Sequence, residues 1–116
     1  MRPHKKLEVW IKAVEFVTKI YKITESFPDN ERFGLISQIR RSAVSIPSNI
    51  SEGAGRASKR EFVQFLSIAQ GSTSELETQM IISNNLGFLK KEDMYLLDEL
   101  DEISRMIIGL IRSLKK

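Results

Sequence analysis

The sequence predicts an all-α protein, an antiparallel up-down-up-down four-helix bundle in a single domain over residues 1–116. Three observations lead there. Apolar residues recur at steps of three and four in four separate stretches, the spacing that gathers side chains on one face of a helix. No stretch alternates apolar and polar residues with the period of two that a half-buried strand needs. The stretches are joined by connections of about two to five residues, which lay consecutive helices side by side. A chain of 116 residues with 41% hydrophobic and 28% charged content can bury one core, and six Gly with three Pro give it no low-complexity character.

The first helix is expected over residues 7–26. Leu7, Trp10, Ile11, Val14, Val17, Tyr21 and Thr24 share one face, read here as the core face. Val9, Ala13, Phe16, Ile20 and Ile23 gather on a second face that a lone amphipathic helix would leave polar. Val9, Phe16 and Ile23 are therefore assigned to a surface that another copy of the chain covers. Phe27-Pro28-Asp29-Asn30 then interrupts the pattern: Pro28 pushes Phe27 away from helical geometry, and Asp29 or Asn30 can cap the next helix.

The second helix is expected over residues 31–53, with Leu35, Ile39, Ala43, Ile46 and Ile50 facing the core. Gln38, Ser42, Ser45, Asn49 and Glu52 form a row of mostly small, polar side chains beside it, suited to close approach of a neighbouring helix. Pro47 removes one backbone hydrogen bond, so a kink is expected there.

Gly53-Ala54-Gly55-Arg56-Ala57 reads as a turn, and Ser58-Lys59-Arg60-Glu61 as a capping box that starts a third helix over residues 59–86. Its core stripe is Phe62, Phe65, Leu66, Ala69, Thr73, Leu76 and Met80, and Gly87 stops it. Gly71, on an edge with Ile68, Glu75 and Ile82, is read as a place where another helix comes close, and Ile68 and Gly71 join the expected oligomer interface. A fourth helix, residues 92–114, spaces Leu96, Leu97, Leu100, Ile103, Ile107, Leu110 and Leu114 by three and four. Asp98, Asp101, Glu102, Arg105 and Arg112 occupy its solvated side.

Much chemistry is excluded by what the chain lacks. There is no cysteine, hence no disulfide and no thiolate, and the expected compartment is cytoplasmic. No apolar run is long enough for a membrane span or follows Met1 to Lys6 as a signal core would, so membrane partners are not expected. The one histidine, His4, precedes the first helix, away from any group that would orient a general base. Neither catalytic residues, metal ligands nor a cofactor are assigned. Asp98, Glu99, Asp101 and Glu102 cluster on the fourth helix, where carboxylates without a phosphate cradle read as a solvated face.

Charge is the remaining signal. Residues 1–60 carry 12 Lys or Arg against 6 acids, whereas 61–116 carry 6 against 9. A basic half attracts polyanions. Gly53 to Arg60 combines two glycines, three cations and a helix start, the ingredients of an anion site, although it matches neither nucleotide-binding fingerprint and also reads as a plain turn with solvated cations. Arg40 and Arg41 can grip a nucleic-acid backbone or pair with Glu75 or Glu77 across a helix interface. Trp10, Phe62 and Phe65 sit on core stripes and read as structural.

Val9-Trp10-Ile11-Lys12-Ala13, the run Phe33 to Gly53, Gly55-Arg56, Glu61-Phe62, Gly71-Ser72, Glu75 to Gln79 and Leu86-Gly87-Phe88-Leu89 together resemble the four-helix-bundle protein family encoded in intervening sequences of bacterial 23S ribosomal RNA genes. Ser51 stands where that family's Ile-Ala-Glu-Gly run has alanine. The chain is also similar to the accessory proteins of diversity-generating retroelements, basic pentameric barrels of four-helix bundles that bind reverse transcriptase and nucleic acid. The resemblance implies a homo-oligomeric ring, a pentamer, and binding of structured RNA or DNA, with Arg40, Arg41, Arg56, Lys59 and Arg60 as the contact positions. The expected function is thus a non-enzymatic, nucleic-acid-binding oligomer. The alternative is a structural or adaptor protein that self-assembles and binds a protein partner such as a reverse transcriptase without touching nucleic acid.

Overall fold

A computed structural model describes His4 and residues 7–116. Four α-helices account for most of them: α1 Glu8–Thr24, α2 Leu35–Ala54, α3 Lys59–Asn85 and α4 Tyr95–Lys115. No strand occurs among the described residues. The molecule measures 43 × 22 × 21 Å, and α3, with 27 residues, is about 40 Å long and spans nearly all of it.

Local chemistry explains the helix ends. Ser58 caps α3: its hydroxyl oxygen accepts from the Glu61 N–H at 3.2 Å and donates to Glu61 Oε1, also at 3.2 Å. At the other end Gly87, with φ +80°, lets the Phe88 N–H reach the Ser83 carbonyl at 2.9 Å and the Gly87 N–H reach that of Asn84 at 3.0 Å. Between α1 and α2 the chain turns through a single 3-10 turn at Asp29–Glu31. Helix α2 therefore starts at Leu35, later than the sequence suggests. Neither Asp29 nor Asn30 caps it; Glu31 Oε1 accepts from the Leu35 N–H at 3.4 Å, placing a carboxylate at the helix start. Past Pro47 the helix continues as one element to Ala54.

The core is a column of side chains at most 2% exposed: Phe16 and Ile20 from α1; Ile39, Ile46 and Ile50 from α2; Leu66, Leu76 and Met80 from α3; Leu96, Leu100, Ile103 and Ile107 from α4. Each helix packs on its sequence neighbour, and α1 also packs on α4. The small polar row of α2 meets α3, as its composition suggested. Ser72 donates to Ser45 Oγ at 2.8 Å, Asn49 Nδ2 donates to the same oxygen at 2.9 Å, and Ser42 is buried beside them. At the end of this seam α2 lies close against α3 at Gly53, where a Cβ would stand 2.7 Å from Phe65 Cβ.

Two readings need correction. Helix α1 is rolled the other way. Val9, at 4% exposure, and Phe16, at 1%, lie in the chain's own core with Ala13 and Ile20, so neither is available to a second copy. Ile23 is half-buried against that core, while Ile11, Val14 and Tyr21 face outward. The Phe16 stripe is the more purely apolar of the two, the other carrying the polar tips of Trp10, Tyr21 and Thr24, and the polar flanks of α1 fit the same roll. Lys12 Nζ lies 2.8 Å from Glu102 Oε1, and Lys19 Nζ 2.9 Å from Glu99 Oε1, so the lysine side of α1 faces α4 and the Phe16 stripe turns inward. Gly71 is the other case. No atom lies within 4 Å of a Cβ built there, so within the chain it brings no helix close; Gly53 has that role instead.

Candidate nucleic-acid interface

The five cations singled out in the sequence fall into two groups. Arg40 and Arg41 sit in the second turn of α2; Arg56, Lys59 and Arg60 sit where α2 ends and α3 begins. Fifteen residues separate Arg41 from Arg56, about 20 Å along a helix, so they do not form one site.

Arg40 is committed to the fold. Its Nε donates to Thr24 Oγ1 at 2.9 Å, its Nη2 to the Tyr21 carbonyl at 3.2 Å, and its guanidinium lies 4.5 Å from the centroid of the Tyr21 ring. A cation on the last carbonyls of α1 also complements that helix's dipole. Neither Glu75 nor Glu77 is its partner: of the two alternatives, the pairing across α2 and α3 gives way to bonds across α1 and α2. Arg41 is exposed, lines a groove with Gln38, Ser42 and Glu75, and has no carboxylate within 4.0 Å among the described residues.

Arg56 is partly used as well. It pairs with Glu52 at 2.9 Å, one helical turn back, and its guanidinium lies 4.9 Å from the centre of the half-buried Phe65 ring. Lys59 and Arg60 are different. Both are exposed in the first turn of α3, and among the described residues neither has a carboxylate within 4.0 Å. They line an open cleft of about 460 Å³ together with Val63, Gln64, Leu114 and Lys115. Lys115, at the end of α4, is thus a third cation that sequence reasoning missed. Its signal was the basic end of the fourth stripe, Leu114-Lys115-Lys116, which gains meaning only once α4 is seen to finish beside the start of α3. Arg2, Lys5 and Lys6 of the basic N-terminal stretch lie outside the described residues.

Three of the four acids of α4 are in ion pairs. Glu99 and Glu102 hold α1, and Asp101 lies 3.2 Å from Arg105. Hydrogen bonding to Lys12 holds the Glu102 carboxyl below its ordinary pKa, and the same bond raises Lys12. Lys19 is raised likewise by Glu99. Among the described residues no three His, Cys, Asp or Glu side chains gather as a metal site would require. His4 packs edge-on against Trp10, with ring centroids 4.9 Å apart.

The family model for 23S rRNA-intervening sequence proteins matches residues 5–109. The chain belongs to that family. Among solved structures this family member is similar to a protein of unknown function from the S23 ribosomal protein family of Bacteroides thetaiotaomicron. The two share 25% sequence identity over 90% of this chain and 95% of the other, with a TM-score of 0.82. No curated protein matches the chain. The 23S rRNA-intervening sequence family thus accounts for the four-helix bundle and extends through most of α4, whose run of sequence had carried no part of the resemblance. Of the candidate oligomer residues, the exposed edge of α3 holds Ile68, 53% exposed, and Gly71. No described helix is long and apolar enough to cross a membrane.

Proposed function

We propose that this member of the 23S rRNA-intervening sequence protein family is a non-enzymatic, cytoplasmic protein that binds RNA or other nucleic acid as a homo-oligomeric ring. The reading rests on one observation above all: Lys59 and Arg60 from α3 and Lys115 from α4 converge on one cleft, and no carboxylate neutralises them among the described residues. Unpaired surface cations contributed by two helices are what a phosphate backbone binds, through release of its condensed counterions. Five subunits in the ring are what the family resemblance implies. Within the subunit the helices run antiparallel, up, down, up and down. Supporting this, Lys12 pairs with Glu102 and Lys19 with Glu99, so positions ascending in α1 meet positions descending in α4. The same reversal relates Ser45 with Ser72 and Gly53 with Phe65 across α2 and α3.

The test is a salt series of fluorescence anisotropy on a structured ribosomal RNA fragment and an unrelated RNA of equal length. Binding should weaken steeply with salt, and K59E/R60E should lower affinity and flatten the salt slope by roughly one unit per lost phosphate contact. Unchanged affinity in the double variant overturns the site.

A second reading has its own support. Ile68, Ile82 and Leu86 stand exposed along one edge of α3, an apolar strip suited to self-assembly or to a protein partner such as a reverse transcriptase. An adaptor of this kind would bind neither RNA in the anisotropy series.

A further inference from the structure

Phe33 stands 94% exposed, although Phe27, six residues earlier, is buried. The turn carrying it is held on both sides. The Glu31, Arg32 and Gly34 N–H groups donate to the carbonyls of Pro28, Asp29 and Glu31 at 2.9, 3.1 and 3.1 Å, and the Gln38 N–H donates to that of Gly34 at 3.1 Å. A large aromatic face is therefore presented to water by an ordered backbone, where burying it would stabilise the fold.

Phe33 lines an open cleft of about 630 Å³, the size of a small-ligand site, with Tyr21, Arg32, Arg40 and Arg41 among its other walls. Arg40 is committed to α1, but Arg32 and Arg41 are exposed and have no carboxylate within 4.0 Å among the described residues. Glu25 and Asp29 also line the cleft. Three guanidiniums against two carboxylates leave a small positive excess, enough for an isolated phosphate and too little for the dense backbone of a duplex. An exposed aromatic face beside unpaired guanidiniums suits an unpaired base and its phosphate: every base has a π face, and the planar guanidinium matches phosphate oxygens. In a duplex those faces are closed off by stacking.

We propose that this cleft binds single-stranded nucleic acid, with Phe33 as the stacking platform for one base and Arg32 and Arg41 holding the adjoining phosphate. The inference rests on the nucleic-acid reading above and adds to it a second contact, specific for unpaired strands and remote from Lys59 and Arg60.

The experiment measures anisotropy of a labelled single-stranded oligonucleotide of about ten nucleotides, the site size of such grooves, and of its duplex, on wild type, Phe33→Ala and Phe33→Trp. Phe33→Ala should weaken single-strand binding roughly 5- to 100-fold and leave duplex binding unchanged, while Phe33→Trp keeps single-strand affinity. Because the side chain is solvent-exposed, both variants should fold as wild type, which circular dichroism checks. Single-strand affinity unaltered by Phe33→Ala overturns this inference and leaves the broader reading standing; if sedimentation then shows a smaller particle, Phe33 belongs between copies of the chain. Wild type that binds neither probe at low salt overturns both.

Discussion

At Gly53 and Gly71 the same residue type sits inside a helix under opposite demands. A Cβ at position 53 would stand 2.7 Å from Phe65 Cβ and 3.0 Å from Phe62 Cδ1, so α2 and α3 would have to move apart there. Gly53→Ala should cost about 1–2 kcal/mol, overpacking outweighing the better helix propensity of alanine. Urea unfolding measures this, and a variant as stable as wild type would show that the seam has slack. Nothing lies within 4 Å of a Cβ at 71, so Gly71→Ala should instead stabilise the isolated bundle by up to about 1 kcal/mol. If that variant also weakens assembly, a second copy lies against this edge of α3. Arg40 teaches a related lesson. Its bonds to Thr24 and Tyr21 are those of a structural clamp, and its place in a basic pair could not reveal that.

At the scale of the element, α1 is tied to α4 by two ion pairs of modest strength. The Lys12–Glu102 pair is exposed and the Lys19–Glu99 pair half-buried, and salt screens both. Their pH dependence has two edges. Glu102 titrates lower in the folded chain than unfolded, so its contribution is present above the ordinary carboxylate range and is lost as pH falls through the lowered value. Lys12 titrates higher when folded, so its contribution is present below the ordinary lysine range and is lost as pH rises through the raised value. The difference in Tm between wild type and Lys12→Met should therefore be flat near neutrality, shrink at both extremes and diminish in high salt. A difference that persisted in strong acid would show that the effect does not come from the ion pair.

For the whole molecule, the corrected roll of α1 moves the test of assembly to α3. Phe16→Glu would put a charge in the core and unfold the subunit, so it says nothing about association. Ile68→Glu changes a side chain that is 53% exposed. It should leave helical content and thermal stability nearly as in wild type and reduce the sedimenting particle to a smaller species. An unaltered particle would remove the Ile68 edge from the interface and leave the outward Ile11 and Val14 of α1 as the next surface to examine.

Four helices, the Ser58 capping box, the Gly87 stop and the small polar seam of α2 were all legible in the sequence, because caps, turns and periodicity act over a few residues. The same local rules placed the start of α2 too early, since a 3-10 turn and a borrowed Glu31 carboxylate satisfy the chain there as well as a helical turn would. What the sequence by itself determined was the set of helices and the supply of cations. The tertiary structure decided which of two apolar stripes of α1 lies deepest in the core, because both have helical spacing and only packing against the other helices distinguishes them. It also decided which cations are free. Arg40 and Arg56 find partners within the fold, whereas Lys59 and Arg60 acquire Lys115 from the far end of the chain, and a neighbour in space 55 residues away is written in no local pattern.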